Sequence, residues 1–269
     1  MNRRPLALYT AMAFGYAFLY VPLLSVVFYS FNRSKLVTVW GGFSLKWYGE
    51  LFRNEQILEA VQRSLLVAAL AASFAVVIGT LSGLALARFG RFRLRGLLSL
   101  LSSAPLVMPE VMLGLSALLL FIALESWIGW PASRGLTTIT LAHITLTACY
   151  VTVIVRSRLV QMDGSLEEAA MDLGARPWKV FFLVTLPLIA PALVAGWLLA
   201  FTLSLDDVVI ASFTSGPGSS TLPMVIYSKV KLGVTPEINA LATIVVVVVT
   251  VAVSIAGWLL GRKDTARGT

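Results

Sequence analysis

With one cysteine and one histidine in 269 residues, the chain cannot close an internal disulfide. His143 and Cys149 stand six positions apart, which on a helix is not one face, so no Cys/His metal site is expected either. Charge is equally scarce: charged residues make up 13% of the chain against 58% hydrophobic, far from the soluble globular mix. The net charge of +8 does not point to nucleic acid, because the basic residues flank apolar runs and form no soluble basic domain. No G-x-x-x-x-G-K-[ST] loop occurs anywhere, so the chain has no usual means of holding ATP.

In place of charge the sequence has apolar length, and the protein reads as an all-α integral membrane protein. Six runs are long enough to cross a bilayer as helices: Leu6–Phe31, Ser64–Ala87, Leu97–Leu124, Leu136–Val155, Leu188–Phe213 and Ala240–Leu260. One six-helix bundle forming a single domain over residues 1–269 is the expected architecture. The first run follows Arg3 and Arg4 but is too long for a signal-peptide core and lacks a small-residue cleavage site, so it is expected to remain as a span. The dense RFGRFRLR cluster at 88–95 marks the cytoplasmic side, which puts both termini in the cytoplasm. Outside, residues 41–64 mix apolar and charged positions at helical spacing and are expected to lie at the membrane surface, with Trp47 and Tyr48 at headgroup level.

The cytoplasmic segment 159–187 carries the most information. Ser165 and Glu168 have capping-box spacing, Gly174 suits a helix stop, and Pro177 suits a first turn. Helix, turn, helix is therefore expected, the second helix lining up Val180, Phe181, Val184 and Thr185 before Pro187 leads into the fifth span. Glu168, Ala169, Ala170, Gly174, Val184, Leu186 and Pro187 match a Glu-Ala-Ala, three residues, Gly, nine residues, Ile, one residue, Leu-Pro pattern, with Val for Ile the one departure. In this the chain resembles the permease subunits of ATP-binding-cassette importers, with the type I (MetI-like) fold. Further stretches, among them APLVMPEVMLGLSALLLF and SLDDVVIASFTSGPGSSTLP, are similar to the second permease of putrescine/spermidine importers. The resemblance implies a heterodimer with a homologous permease, two ATPase subunits holding ATP and Mg, a periplasmic polyamine-binding protein, and residence in the bacterial inner membrane among its lipids. It also implies that the Glu168 loop docks on the ATPase.

Three carboxylates fall inside the expected spans: Glu110, Asp206 and Asp207. At membrane depth each costs at least about 2.5 kcal/mol, so each needs a reason to be there. Glu110 follows Pro109, where a kink is expected. On one continuous helix adjacent residues diverge by about 100°, which sets Asp207 on a small, polar stripe with Gly196, Ala200, Ser204, Ala211 and Thr214, and Asp206 at its border. Glu110, Asp206 and Asp207, with Ser204 and Trp47 as secondary members, are the expected lining of a path for a flexible polycation; relatives of this type usually have Asp at the Glu110 position. The alternatives are a permease for another small organic cation or an amino-acid-like solute, an ion-coupled secondary transporter, and an intramembrane enzyme. Adjacent aspartates on one helix do not form the facing pair that an aspartyl protease needs, and no catalytic residue or metal ligand is assigned.

Overall fold

A computed structural model describes residues 3–36, 39–233 and 235–265; the outermost terminal residues, whose side of the membrane the charge pattern addresses, lie outside these. The described residues are helical and contain no strand; an isolated β-bridge joins Asn32 to Phe43. The chain divides into two compact units, residues 1–58 with 226–269, and residues 59–225.

The first unit contains α1 (Arg3–Ser30), α2 (Lys46–Leu51) and α12 (Pro236–Thr265). Between α1 and α2 the loop closes around Asn32, which is fully buried. Its side chain donates to the Val39 carbonyl at 2.8 Å and accepts the Gly41 and Ser34 amides at 2.8 and 3.1 Å. Trp47 donates its indole N–H to the Asn32 carbonyl at 2.6 Å, and the Tyr48 hydroxyl lies 2.7 Å from Ser30 Oγ. This clasp corrects the expectation for residues 41–64. The surface helix is only the six residues of α2, Trp47 is 4% exposed, and residues from Glu55 onward belong to the next long helix. An asparagine that satisfies four backbone groups, the fourth being the Leu36 carbonyl at 3.4 Å, makes a compact turn where charge spacing alone suggests a lying helix.

In the second unit run most of α3 (Glu55–Arg88), then α4 (Arg95–Val107), α5 (Glu110–Ile128) and α6 (Leu136–Gln161). After these come α7 (Ser165–Asp172), α8 (Pro177–Val180), a π-helical turn (Phe181–Thr185), α9 (Leu186–Leu205), α10 (Val209–Thr214) and the start of α11 (Leu222–Leu232). Small residues Ala68, Ala72, Ala75, Gly79 and Gly83 follow one another at helical spacing along α3, the arrangement that lets helix backbones approach in lipid. A Cβ on Gly79 would stand 2.6 Å from the Val151 Cβ, and one on Gly83 would stand 3.1 Å from the Arg156 amide, so α6 presses directly on that stripe. Around it Ala72, Ala75, Ala148, Val151, Val155, Leu159, Ile189 and Ala200 form a core shared by α3, α6 and α9. Arg95 donates to the Leu86 carbonyl at 2.8 Å and to those of Phe89 and Gly90, satisfying backbone groups at the end of α3.

Among the described residues, five helical stretches are long and apolar enough to cross a membrane: Ala7–Ser30, Glu55–Arg88, Glu110–Ile128, Leu136–Gln161 and Pro177–Leu205. Two expected spans are interrupted. The third is not one kinked helix but α4 and α5, and the fifth ends at Leu205, before the aspartates, rather than at Phe213.

Candidate functional site

Both interruptions have local causes. Pro109 has no amide to continue α4, and it forces its predecessor out of helical geometry: Met108 is extended at φ −81° and ψ 140°. The chain restarts on the Pro109 carbonyl, which accepts the Met112 amide at 2.9 Å, and this puts Glu110 in the exposed first turn of α5. At the second break no proline or glycine intervenes. Here Asp207 turns its carboxylate onto the following backbone, Oδ1 accepting the Ile210 amide at 3.2 Å and Oδ2 the Ala211 amide at 2.7 Å. From two residues ahead of Val209, Asp207 thereby satisfies two amides in the first turn of α10.

The two aspartates therefore differ more than a 100° step on one helix would make them. Asp207 is 6% exposed and sits 3.1 Å from His143 Nε2, whereas Asp206 is exposed. His143 Nδ1 in turn lies 2.7 Å from Ser204 Oγ. The structure thus brings together Ser204, Asp207 and a residue absent from the expected site, His143, and it leaves Asp206 and Glu110 open. Helices α5 and α10 pack closely beyond the breaks: a Cβ on Gly114 would lie 2.6 Å from the Phe213 ring and 3.3 Å from the Ile210 Cα. Glu110 and Asp206 each stand four residues ahead of that contact. Trp47 belongs to the other unit, where it is buried with the Lys46 ammonium 5.1 Å from its ring centre.

A serine, a histidine and an aspartate in hydrogen-bond contact resemble the makings of a hydrolase. A nucleophile must be approachable, however, and Ser204 and His143 are 5% and 2% exposed, while the Asp207 carboxylate is occupied by two backbone amides. The trio is sealed and suited to holding structure. An acid pair of the protease kind is absent too, since Asp206 faces out and Asp207 faces His143.

The segment after α6 has the expected helix–turn–helix form. Helix α7 ends in a Schellman turn, with Gly174 at φ +84° and the Ala175 amide bonded to the Ala170 carbonyl at 3.1 Å; Pro177 opens α8. The capping box does not form, because Ser165 is already the first helical residue. The Asp163 carboxylate accepts the Ser165 amide instead at 3.0 Å, and this bond holds its carboxyl below the usual carboxylate range. Glu168 and Ala169 face outward, Ala170 is half-buried, and Leu186 and Pro187 open α9. Inward from α7 points Glu167, missed in the sequence, which accepts the Thr185 hydroxyl at 2.7 Å. Its other oxygen lies 2.7 Å from Arg88 Nε in a partly buried ion pair. One acidic side chain thereby ties α7 to the end of α3 and to the π turn. The outer face of the same segment carries Leu173, 90% exposed, and Trp178 among Arg176 and Lys179.

Comparison with known proteins now bears on the whole chain. It is 57% identical over 253 residues to the putrescine transport system permease protein PotI of Escherichia coli (strain K12), an alignment covering 94% of this chain and 90% of that one. It is 42% identical over 254 residues to the spermidine/putrescine transport system permease protein PotC of the same strain, covering 94% and 93%. The fold is similar to that of a crystal structure of a bacterial ABC transporter involved in import of the acidic polysaccharide alginate, with TM-score 0.70, 15% identity and 96% of each chain covered. It is also similar to the inward-facing MetNI methionine ABC transporter, with TM-score 0.61, 18% identity and coverage of 77% and 94%. The family model of binding-protein-dependent transport system inner membrane components matches residues 75–264. From α3 through the breaks and the helix–turn–helix segment to α12, this chain belongs to that family.

Proposed function

We propose that this chain is a permease subunit of an ATP-driven importer, passing a polyamine of the putrescine or spermidine class from an external binding protein into the cytoplasm. The observation that carries this reading is the pair of exposed carboxylates at two helix breaks, Glu110 and Asp206, in a chain closely related to named putrescine and spermidine permeases. Water or protein must line irregular backbone at membrane depth, and an ammonium group passing there repays the desolvation of a carboxylate. Helices α1, α3, α5, α6, α8 with α9, and α12 serve as six spans in the bacterial inner membrane, with both termini cytoplasmic. The partners are a homologous permease in a heterodimer, two ATPase subunits that carry ATP and Mg, and a periplasmic polyamine-binding protein. Glu168, Ala169, Ala170, Gly174, Leu186 and Pro187 form or support the surface of α7 that meets the ATPase, with Leu173 and Trp178 beside it. Ser204 and Asp207 shape the path from behind. Trp47, whose ring already faces the Lys46 ammonium, supports the external loop.

The test is uptake of labelled putrescine or spermidine into vesicles holding the complete transporter, with ATP supplied and the proton gradient collapsed. Continued ATP-dependent uptake is expected; uptake that follows the gradient instead would mean a secondary transporter. Competition by other organic cations or by amino acids reads out the alternative substrates. Asp206→Asn and Glu110→Gln each remove one charged contact, and the expected loss of uptake rate is about tenfold or more, with assembly and ATP hydrolysis retained. Undiminished uptake by the double variant would refute the path.

A further inference from the structure

His143 is the single histidine of the chain, 2% exposed in the first third of α6, with both ring nitrogens engaged. The pattern is complete when Nε2–H donates to the Asp207 carboxylate and Nδ1 accepts the Ser204 hydroxyl, which satisfies a neutral ring and an ionised aspartate together. Its two partners sit on either side of the break: Ser204 in the last turn of α9, and Asp207 where α10 begins. Asp206 stands between them with no side chain bonded to its carboxylate among the described residues, its amide bonded to the Thr202 carbonyl at 3.2 Å. The ring therefore spans the gap that Asp206 occupies. The Thr147 hydroxyl, bonded to the His143 carbonyl at 2.7 Å, adds a further bond within α6 at this level.

We propose that His143 is a positioning residue for transport: by holding Ser204 and Asp207 across the break, it fixes the direction in which Asp206 presents its carboxylate to the substrate. The geometry carries this beyond the assignment of the path itself, although its role in transport rests on the polyamine reading above. A bare apolar side chain in its place leaves the Asp207 charge with its two amide bonds and the Ser204 hydroxyl without this partner, so the break loses the His143 cross-brace. A carboxamide behaves differently. The oxygen and nitrogen of glutamine are spaced much like the two ring nitrogens, so His143→Gln can donate to Asp207 and accept from Ser204.

The experiment separates this inference from the substrate assignment. In the complete transporter with Cys149→Ser, Asp206→Cys is labelled with a water-soluble thiol reagent, a measurement that needs no polyamine. His143→Leu is expected to change the labelling rate about threefold or more, and His143→Gln to restore it. In the otherwise native chain, His143→Leu is expected to lower maximal uptake about tenfold with binding-protein-stimulated ATP hydrolysis retained, and His143→Gln to recover most of the loss. If His143→Leu does not assemble, Ser204→Ala cuts one end of the brace and carries the same labelling expectation. Labelling that is indifferent to these changes overturns the proposal. Labelling that responds in a protein importing no polyamine would leave the brace in place and refute the substrate class instead.

Discussion

Glu167→Ala is expected to separate ATP hydrolysis from transport. Glu167 ties α7 to the end of α3 and to the π turn, with one oxygen on Arg88 and the other on Thr185. Truncating it leaves the Arg88 guanidinium, whose buried Nη2 has no hydrogen-bond partner among the described residues, without its counter-charge. Removing one partner of a fully buried ion pair costs about 3 to 5 kcal/mol; these side chains are 14% and 24% exposed, so a lower figure of about 2 kcal/mol is appropriate. That is enough to release α7 from α3. In the reconstituted transporter, uptake per ATP hydrolysed should fall severalfold while hydrolysis continues, and Glu167→Gln, which keeps a contact to Thr185, should fall between. Exchanging the charges, Glu167→Arg with Arg88→Glu, should recover part of the loss that either change causes alone. An unchanged ratio of uptake to hydrolysis would refute this linkage.

Gly79→Leu should prevent the second unit from forming. Even an alanine Cβ would stand 2.6 Å from the Val151 Cβ and 2.9 Å from the Thr152 amide, and backbone cannot swing aside. Overpacking typically costs about 1 to 3 kcal/mol, so Gly79→Ala should already lower the unfolding midpoint in detergent, and a leucine should abolish accumulation in the membrane. Gly15 on α1, with nothing within 4 Å of its Cβ position, provides the contrast: Gly15→Ala should change stability by about 0.5 kcal/mol or less. Normal abundance and stability of Gly79→Leu would mean that α3 and α6 are not packed in this way.

The apolar runs were legible because a membrane span is a one-dimensional signal, and so was the turn at Gly174 and Pro177, where single residues dictate backbone shape. Pro109 announced an irregularity but not its size, since whether a proline bends or ends a helix depends on what holds the chain beyond it. The break at Asp206 and Asp207 left no such mark. It depends on Asp207 bonding its own following backbone and on His143, remote in sequence and adjacent only after folding. Treating the fifth span as one helix gave Asp207 the inward position, and the folded chain also turns it inward, though to brace a break rather than to stand free. In sequence His143 stands near Cys149 alone, because its partners, Ser204 and Asp207, lie at the end of α9 and just beyond it. Glu167 was hidden by its neighbour: the family pattern draws the eye to Glu168, which faces out, while the inward position belongs to the residue before it. The small-residue stripe from Ala68 to Gly83, by contrast, was present at plain helical spacing and was available to the sequence reading.

The placement of the two open carboxylates at opposite ends of their helices makes them electrically unequal. Glu110 opens α5, where unpaired amides contribute about half a positive charge, and Asp206 closes α9, where unpaired carbonyls contribute about half a negative one. The carbonyls that end α4 share the first break with those α5 amides, and at the second break the α10 amides are taken up by the Asp207 carboxylate, so a passing ammonium meets more negative charge at Asp206 than at Glu110. In the proposed path a flexible dication is gripped at Asp206 and only lightly steadied at Glu110, and this inequality lets one end of the molecule let go before the other.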